Sequence, residues 1–178
     1  MNALTPPREP GGAKVELCAF RVGDEEYVID LRRVREIVHA GPITPVPRAP
    51  PGVEGVMSLR DSVIPVVDVR KRLGVRPRAG GRPKVLVVDV AGRVLGLVVD
   101  GVLEVVRTTR EHLGPPPVRT AAGLRLFLGV CGPREPRPAA ARAFAARSGR
   151  KLRLLLNVKA LLEPGGRVEE RPFASSTG

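Results

Sequence analysis

The chain repeats itself, and the repeat limits the folds open to it. Shifted by 68 residues, Phe20-x-Val22, a turn and Tyr27-x-Ile29 fall on Val88-x-Val90, a turn and Leu95-x-Leu97. Without a gap, Val34-Arg35-Glu36-Ile37 falls on Val102-Leu103-Glu104-Val105, and Pro47 on Pro115. Further along, Gly55-Val56 resembles Gly129-Val130, and Ile64–Leu73 resembles Leu154–Leu162. The segment Cys131–Lys151 interrupts the second copy. Two copies of strand, turn, strand, V-x-E-[IV], Pro, strand, strand and helix predict two small duplicated barrels of about five strands each. Closure removes sheet edges. A half of roughly 70 residues has a meagre core, so the halves are expected to pack together. The groove between them is then a natural binding site.

Composition supports strands over long helices. Aromatic residues make up 3% of the chain and Trp is absent, so Val, Leu and Ile must build the core. That β-branched bias favours sheet. Nineteen Pro and twenty Gly imply many turns. Strand-length apolar runs occur at Val15–Val22, Glu26–Leu31, Gly55–Leu59, Val63–Val67, Val85–Val90, Val94–Val99, Leu124–Val130 and Lys151–Leu156. Short helices fit at Val69–Leu73, with Asp68 as N-cap and Gly74 as stop, and at Val158–Leu162, with Asn157 as N-cap. Residues 1–13 and 165–178 read as polar, disordered tails. No apolar run reaches 18 residues and the first residues lack a signal-peptide core, which together predict a cytoplasmic chain.

The net charge of +12 is localised. Seven basic residues and no acid lie in Val69–Lys84, and six against Glu135 in Cys131–Lys151. Two readings stay open for these segments: solvated loops, or contacts to acidic surfaces or phosphates. Four Phe and one Tyr cannot form a base-stacking platform, and Phe20 and Tyr27 sit on core-like strand positions.

No chemistry is apparent. His39 and His112 have no ligand-type neighbours at metal spacing, and Cys18 and Cys131 are too few for a disulfide framework or a zinc site. Nucleophile-elbow, zincin and phosphate-loop motifs are missing from the sequence. The expectation is no catalytic residue, no metal, no cofactor and no small-molecule substrate. Recognition by surface remains. Leu31, Val34, Ile37 and Val38 fall at i, i+3, i+6 and i+7, the spacing of one face of a short helix. Glu36 projects elsewhere, and its natural partner is Arg60, isolated at the turn between two apolar strands. The alternative is that both merely solvate their turns.

These residues carry a family resemblance. Phe20-x-Val22-Gly23-Asp24-Glu25-Glu26-Tyr27, Val34-Arg35-Glu36-Ile37 and Pro45-Val46-Pro47-x-x-Pro50 come first. Gly55-Val56-x-x-Leu59-Arg60, Ile64-Pro65-Val66-x-Asp68-x-Arg70, Gly96-x-x-Val99-Asp100-x-Val102 and Pro115-x-Pro117 follow. In that order, from about Val15 to Leu162, the chain resembles the CheW family of chemotaxis coupling proteins. The resemblance implies an all-β domain over residues 14–164, built as two intertwined five-stranded SH3-like barrels with a few short helices. The basic insertion at about 131–151 lies in the second barrel. The resemblance implies a non-enzymatic adaptor joining the cytoplasmic tip of methyl-accepting chemoreceptors to the regulatory domain of a CheA-type histidine kinase, within receptor clusters. Its implied receptor-binding residues are Leu31, Val34, Glu36 and Arg60, with Val98 and Val99 beside them. A relative that binds receptors without the kinase, and a basic nucleic-acid-binding barrel, are the alternatives. Asp61 departs from the family pattern, which usually has Gly after Leu-Arg. If that position needs positive φ, Asp adopts it at some cost.

Overall fold

A computed structural model describes residues 13–49, 52–77, 80–116, 125–132 and 152–163. The expected tails, apart from Ala13, and nearly all of the basic insertion lie outside the described residues.

Every expected apolar run forms a strand, with ends shifted by up to three residues. They are β1 (Lys14–Val22), β2 (Glu25–Asp30), β4 (Val53–Leu59), β5 (Ser62–Asp68), β6 (Lys84–Val90), β7 (Arg93–Val99), β10 (Phe127–Cys131) and β11 (Arg153–Leu156). Three more lie among the described residues: β3 (Val34–His39), β8 (Gly101–Thr109) and the two-residue β9 (Leu113–Gly114). The helical face expected over Leu31–Val38 does not form. A single 3-10 turn, Leu31–Arg33, leads directly into β3, which pairs with β6. Val34, Ile37 and Val38 are β-branched, and a ready ladder partner outweighs the helical spacing.

Helix α1 (Val69–Leu73) forms as expected. The Arg70 N–H donates to the Asp68 side chain at 2.9 Å, and Gly74 ends the helix in the left-handed region at φ 68°. The second expected helix shrinks to a 3-10 turn, Ala160–Leu162, and Asn157 does not cap it. The Asn157 side-chain amide instead donates to the Arg125 carbonyl at 3.0 Å. Glu163 precedes Pro164 in sequence, which disfavours a helical backbone there, and it is extended at φ −80° and ψ 143°.

One sheet runs β3-β6-β7-β5-β4 and the other β8-β1-β2-β11-β10-β9. Strand by strand they are equivalent: β3 with β8, β6 with β1, β7 with β2, β5 with β11, β4 with β10. The pairs β5–β7 and β11–β2 are both parallel, and the remaining pairs are antiparallel. The leading hairpin of each sequence copy therefore sits in the barrel of the other copy. Read as tandem units, the repeat does not reveal this exchange. The equivalence extends to detail. Bulges at Val53/Gly55 and Phe127/Gly129 occupy matching places. A Cβ at Gly55 would overlap the Thr44 carbonyl, and one at Gly129 the Gly114 carbonyl.

The core is divided in three. Met57, Ile64, Val66, Val85, Val87 and Val98 fill the first barrel alone. Leu17, Ala19, Val28 and Cys131 form a cluster confined to the second. The largest cluster lies between the sheets and takes residues from both, among them Phe20, Tyr27, Ile29, Leu86, Leu95, Leu97, Leu156 and Leu161. Tyr27 stacks between Phe20 and Phe127, at 6.0 and 6.1 Å between ring centroids. Successive residues of β6 thus face different cores, which explains its unbroken apolar run. The two sheets pack together through this shared core. A groove of about 350 Å³ lies against the second sheet, lined by Leu17, Arg33, Arg110, Leu113, Leu128 and Leu155 among others.

Candidate docking site

The β4–β5 hairpin pairs Leu59 with Ser62, leaving Arg60 and Asp61 as the turn. The positive φ falls on Arg60, at 52°, and not on Asp61. A non-glycine residue held there costs roughly 1–2 kcal/mol. From this position Arg60 Nη2 reaches Glu36 Oε2 on β3 at 2.9 Å. The expected pair therefore forms. Arg60 stays 78% exposed and Glu36 29%, so the bond contributes at most about 1 kcal/mol. Its placement matters more than its strength. β3 and β4 are the two edges of one sheet, and the pair spans from the β4–β5 turn to β3. A backbone bridge between Thr44 and Val56, with N–O distances of 2.8 and 2.9 Å, supports β4 nearby.

The second barrel has a counterpart. Glu104, which the repeat matches to Glu36, accepts from Arg153 Nη2 at 2.7 Å, and Arg153 Nε also donates to Glu26 at 2.8 Å. Arg153 begins β11 and is half-buried, whereas Arg60 stands in the open.

The other expected site residues fall into two groups. Leu31 and Val34 are half-buried and pack on the shared core while retaining some surface. Val98 and Val99 are 2% and 0% exposed and belong to the two different cores. They lie beneath the surface. Ile37, which the sequence reading left out of the site, is 47% exposed on β3. Strand alternation, applied to Val34–His39, would have found it. Beside it Arg35 pairs with Asp89, whose carboxyl is held below the usual range by that guanidinium and by the Gly92 N–H.

Asp30 anchors the approach to β3. Its side chain accepts from the Arg32 backbone N–H at 3.0 Å and from the Arg32 guanidinium at 2.6 Å, which lowers its pKa. With Asp30 and Asp89 both depressed on folding, the unfolded chain binds protons first as pH falls. Their stabilisation is present above the ordinary Asp pKa of about 4 and is lost as pH falls through the lower folded values. Urea midpoints should therefore decline below about pH 4, and less steeply in a D30N/D89N variant. Equal slopes would show that neither pair forms in solution.

The basic run Val69–Lys84 is less free than its sequence suggests. Arg70 is bracketed by Asp68, at 2.7 Å, and Asp100, at 3.1 Å, and Asp100 also accepts from the Gly23 N–H at 2.6 Å. Lys71 pairs with Glu54. Arg72 is buried, and its Nη2 donates to the Ala160 and Glu163 carbonyls at 3.0 and 2.7 Å. All three basic residues of α1 are thus bonded within the molecule, although the Lys71 side chain stays exposed.

Comparison with known proteins places this fold in a family. A family model described as the CheW-like domain matches residues 16–163. The chain belongs to the CheW-like family. A chemotaxis protein CheW from Rhizobium meliloti is 42% identical over 103 residues, 57% of this chain and 66% of that protein. One from Treponema pallidum is 31% identical over 133 residues, covering 70% and 76%. The crystal structure of the scaffolding protein TtCheW from Thermoanaerobacter tengcongensis superposes with a TM-score of 0.67 at 27% identity. That superposition covers 85% of this chain and 94% of TtCheW. The match to the rhizobial protein thus spans just under two thirds of its length.

Proposed function

We propose that this CheW-like protein is a non-enzymatic adaptor in chemosensory signalling, joining the cytoplasmic tip of a methyl-accepting chemoreceptor to the regulatory domain of a CheA-type kinase. It would work in the cytoplasm at receptor clusters. The observation that carries the reading is the Glu36–Arg60 pair, held open at a hairpin tip. Leu31 and Val34 would supply apolar contact, and the ion pair would set register. Val98 and Val99 act from below by fixing the strand that supports this face. The likeness to proteins named for chemotaxis supports the partners.

The test is binding of a receptor cytoplasmic hairpin and of the kinase regulatory domain, each to the full chain. Arg60→Ala and Glu36→Ala should each weaken the hairpin about five- to tenfold. Their melting temperatures should fall by no more than about 2–4 °C, because an exposed pair stabilises little. Unchanged affinity in both variants would place the receptor elsewhere. Receptor binding without kinase binding would favour the receptor-only alternative.

A further inference from the structure

The β4–β5 turn carries two charges, and only one is satisfied inside the molecule. Arg60 gives its guanidinium to Glu36. Asp61 is exposed, and among the described residues its carboxylate takes part in no hydrogen bond or ion pair. The backbone does not require it either, since the positive φ falls on Arg60. With Arg60 and Glu36 neutralising each other, the charge this tip offers outward is negative, on a chain whose net charge is +12.

An apolar group lies close by. Val63, two residues beyond Asp61, is 66% exposed, the most exposed large apolar side chain among the described residues. The tip thus presents a free carboxylate next to an aliphatic side chain. The complementary surface offers a cation next to an apolar group, and the cation's contribution to selectivity lies in rejecting partners that place an acid there.

We infer that Asp61 is a specificity-determining residue of the docking tip. It selects receptor hairpins that place a Lys or Arg beside an apolar side chain, the cation meeting Asp61 and the apolar group meeting Val63. This rests on the receptor-docking reading above, and the experiment separates the two.

The probe is the cytoplasmic hairpin of a methyl-accepting chemoreceptor from the same genome, titrated against the full chain. Asp61→Asn keeps the turn preference and removes the charge. It should weaken binding about two- to fivefold at low salt and flatten the salt dependence. Asp61→Lys sets like charges together and should weaken binding tenfold or more. Reversing one basic residue of the hairpin to Glu should restore binding to Asp61→Lys while weakening it to the unaltered chain. Melting temperatures serve as the check that each variant is folded.

If both Asp61 variants bind like the unaltered chain while Glu36→Ala binds weakly, the inference is overturned and the docking reading stands. If Asp61→Lys is weakened and no reversal in the hairpin restores it, the proposed cation is wrong and the inference again falls. If Glu36→Ala and Arg60→Ala also bind normally, the docking reading itself has failed.

Discussion

Arg70→Ala should cost about 3–5 kcal/mol of folding stability, because it leaves two nearly buried carboxylates facing each other without their cation. A domain of this size has only about 5–15 kcal/mol in total. Asp68 and Asp100 come from different places in the fold. Asp68 ends β5 at the start of α1, and Asp100 sits between β7 and β8, where the chain leaves one sheet for the other. Asp100 also holds the Gly23 N–H in the β1–β2 turn. One guanidinium therefore ties three segments together. The apolar core between the sheets supplies adhesion without direction, and this network adds direction. Urea unfolding of Arg70→Ala beside Arg60→Ala makes the comparison. Arg60→Ala removes a mostly exposed partner and should cost no more than about 1 kcal/mol. Similar losses in the two variants would show that the Arg70 network is hydrated in solution.

The second large effect concerns Gly55. Its φ is ordinary, so the requirement is space and not backbone freedom. The Thr44 carbonyl occupies the position of the missing Cβ, and the same Thr44 pairs with Val56 across the gap. Gly55→Ala should push that strand segment away, break the bridge and cost about 1–3 kcal/mol, the range for overpacking a tight site. Hydrogen exchange at the Thr44 and Val56 amides should rise well before the rest of the sheet. Gly129→Ala should behave alike against the Gly114 carbonyl, since the bulges are equivalent. An alanine tolerated at either site, with normal amide protection, would mean that the close approach is not kept in solution.

How much of this was legible in the sequence depended on the residue. The fully buried strands were plain, because unbroken runs such as Val85–Val90 have no other economical conformation. The edge strands β3 and β8 were not. Val-Arg-Glu-Ile and Val-Leu-Glu-Val mix charge with apolar residues, and the apolar spacing at 31–38 fits a helix as well as a strand. The Glu36–Arg60 pair was legible because Arg60 sits at the turn between two apolar strands. The burial of Val98 and Val99 was not, since a strand covered on both faces looks in sequence like one covered on one. The fates of Arg70, Lys71 and Arg72 were hidden too, because their partners Asp100, Glu54 and the Ala160 carbonyl are remote in the chain. The repeat revealed two equivalent units but not which unit each hairpin joins. Equivalence in sequence carries no information about connectivity in space.

That exchange has a consequence for the order in which the molecule is made. The sheet built from β3 to β7 is one continuous stretch, Val34 to Val99, and every strand it needs has emerged once β7 is synthesised. The other sheet begins with the first strands and ends with the last. Glu26 on β2 waits 127 residues for Arg153 on β11. On the ribosome, β1 can pair once β8 has emerged, whereas β2 finds its partner β11 last among the described strands. Until then Tyr27 and Val28 lack their ladder partners Leu154 and Leu155. Such distant pairings slow folding and leave the nascent chain open to association. A C-terminal truncation before β11 would strand the beginning of the protein, not only its end.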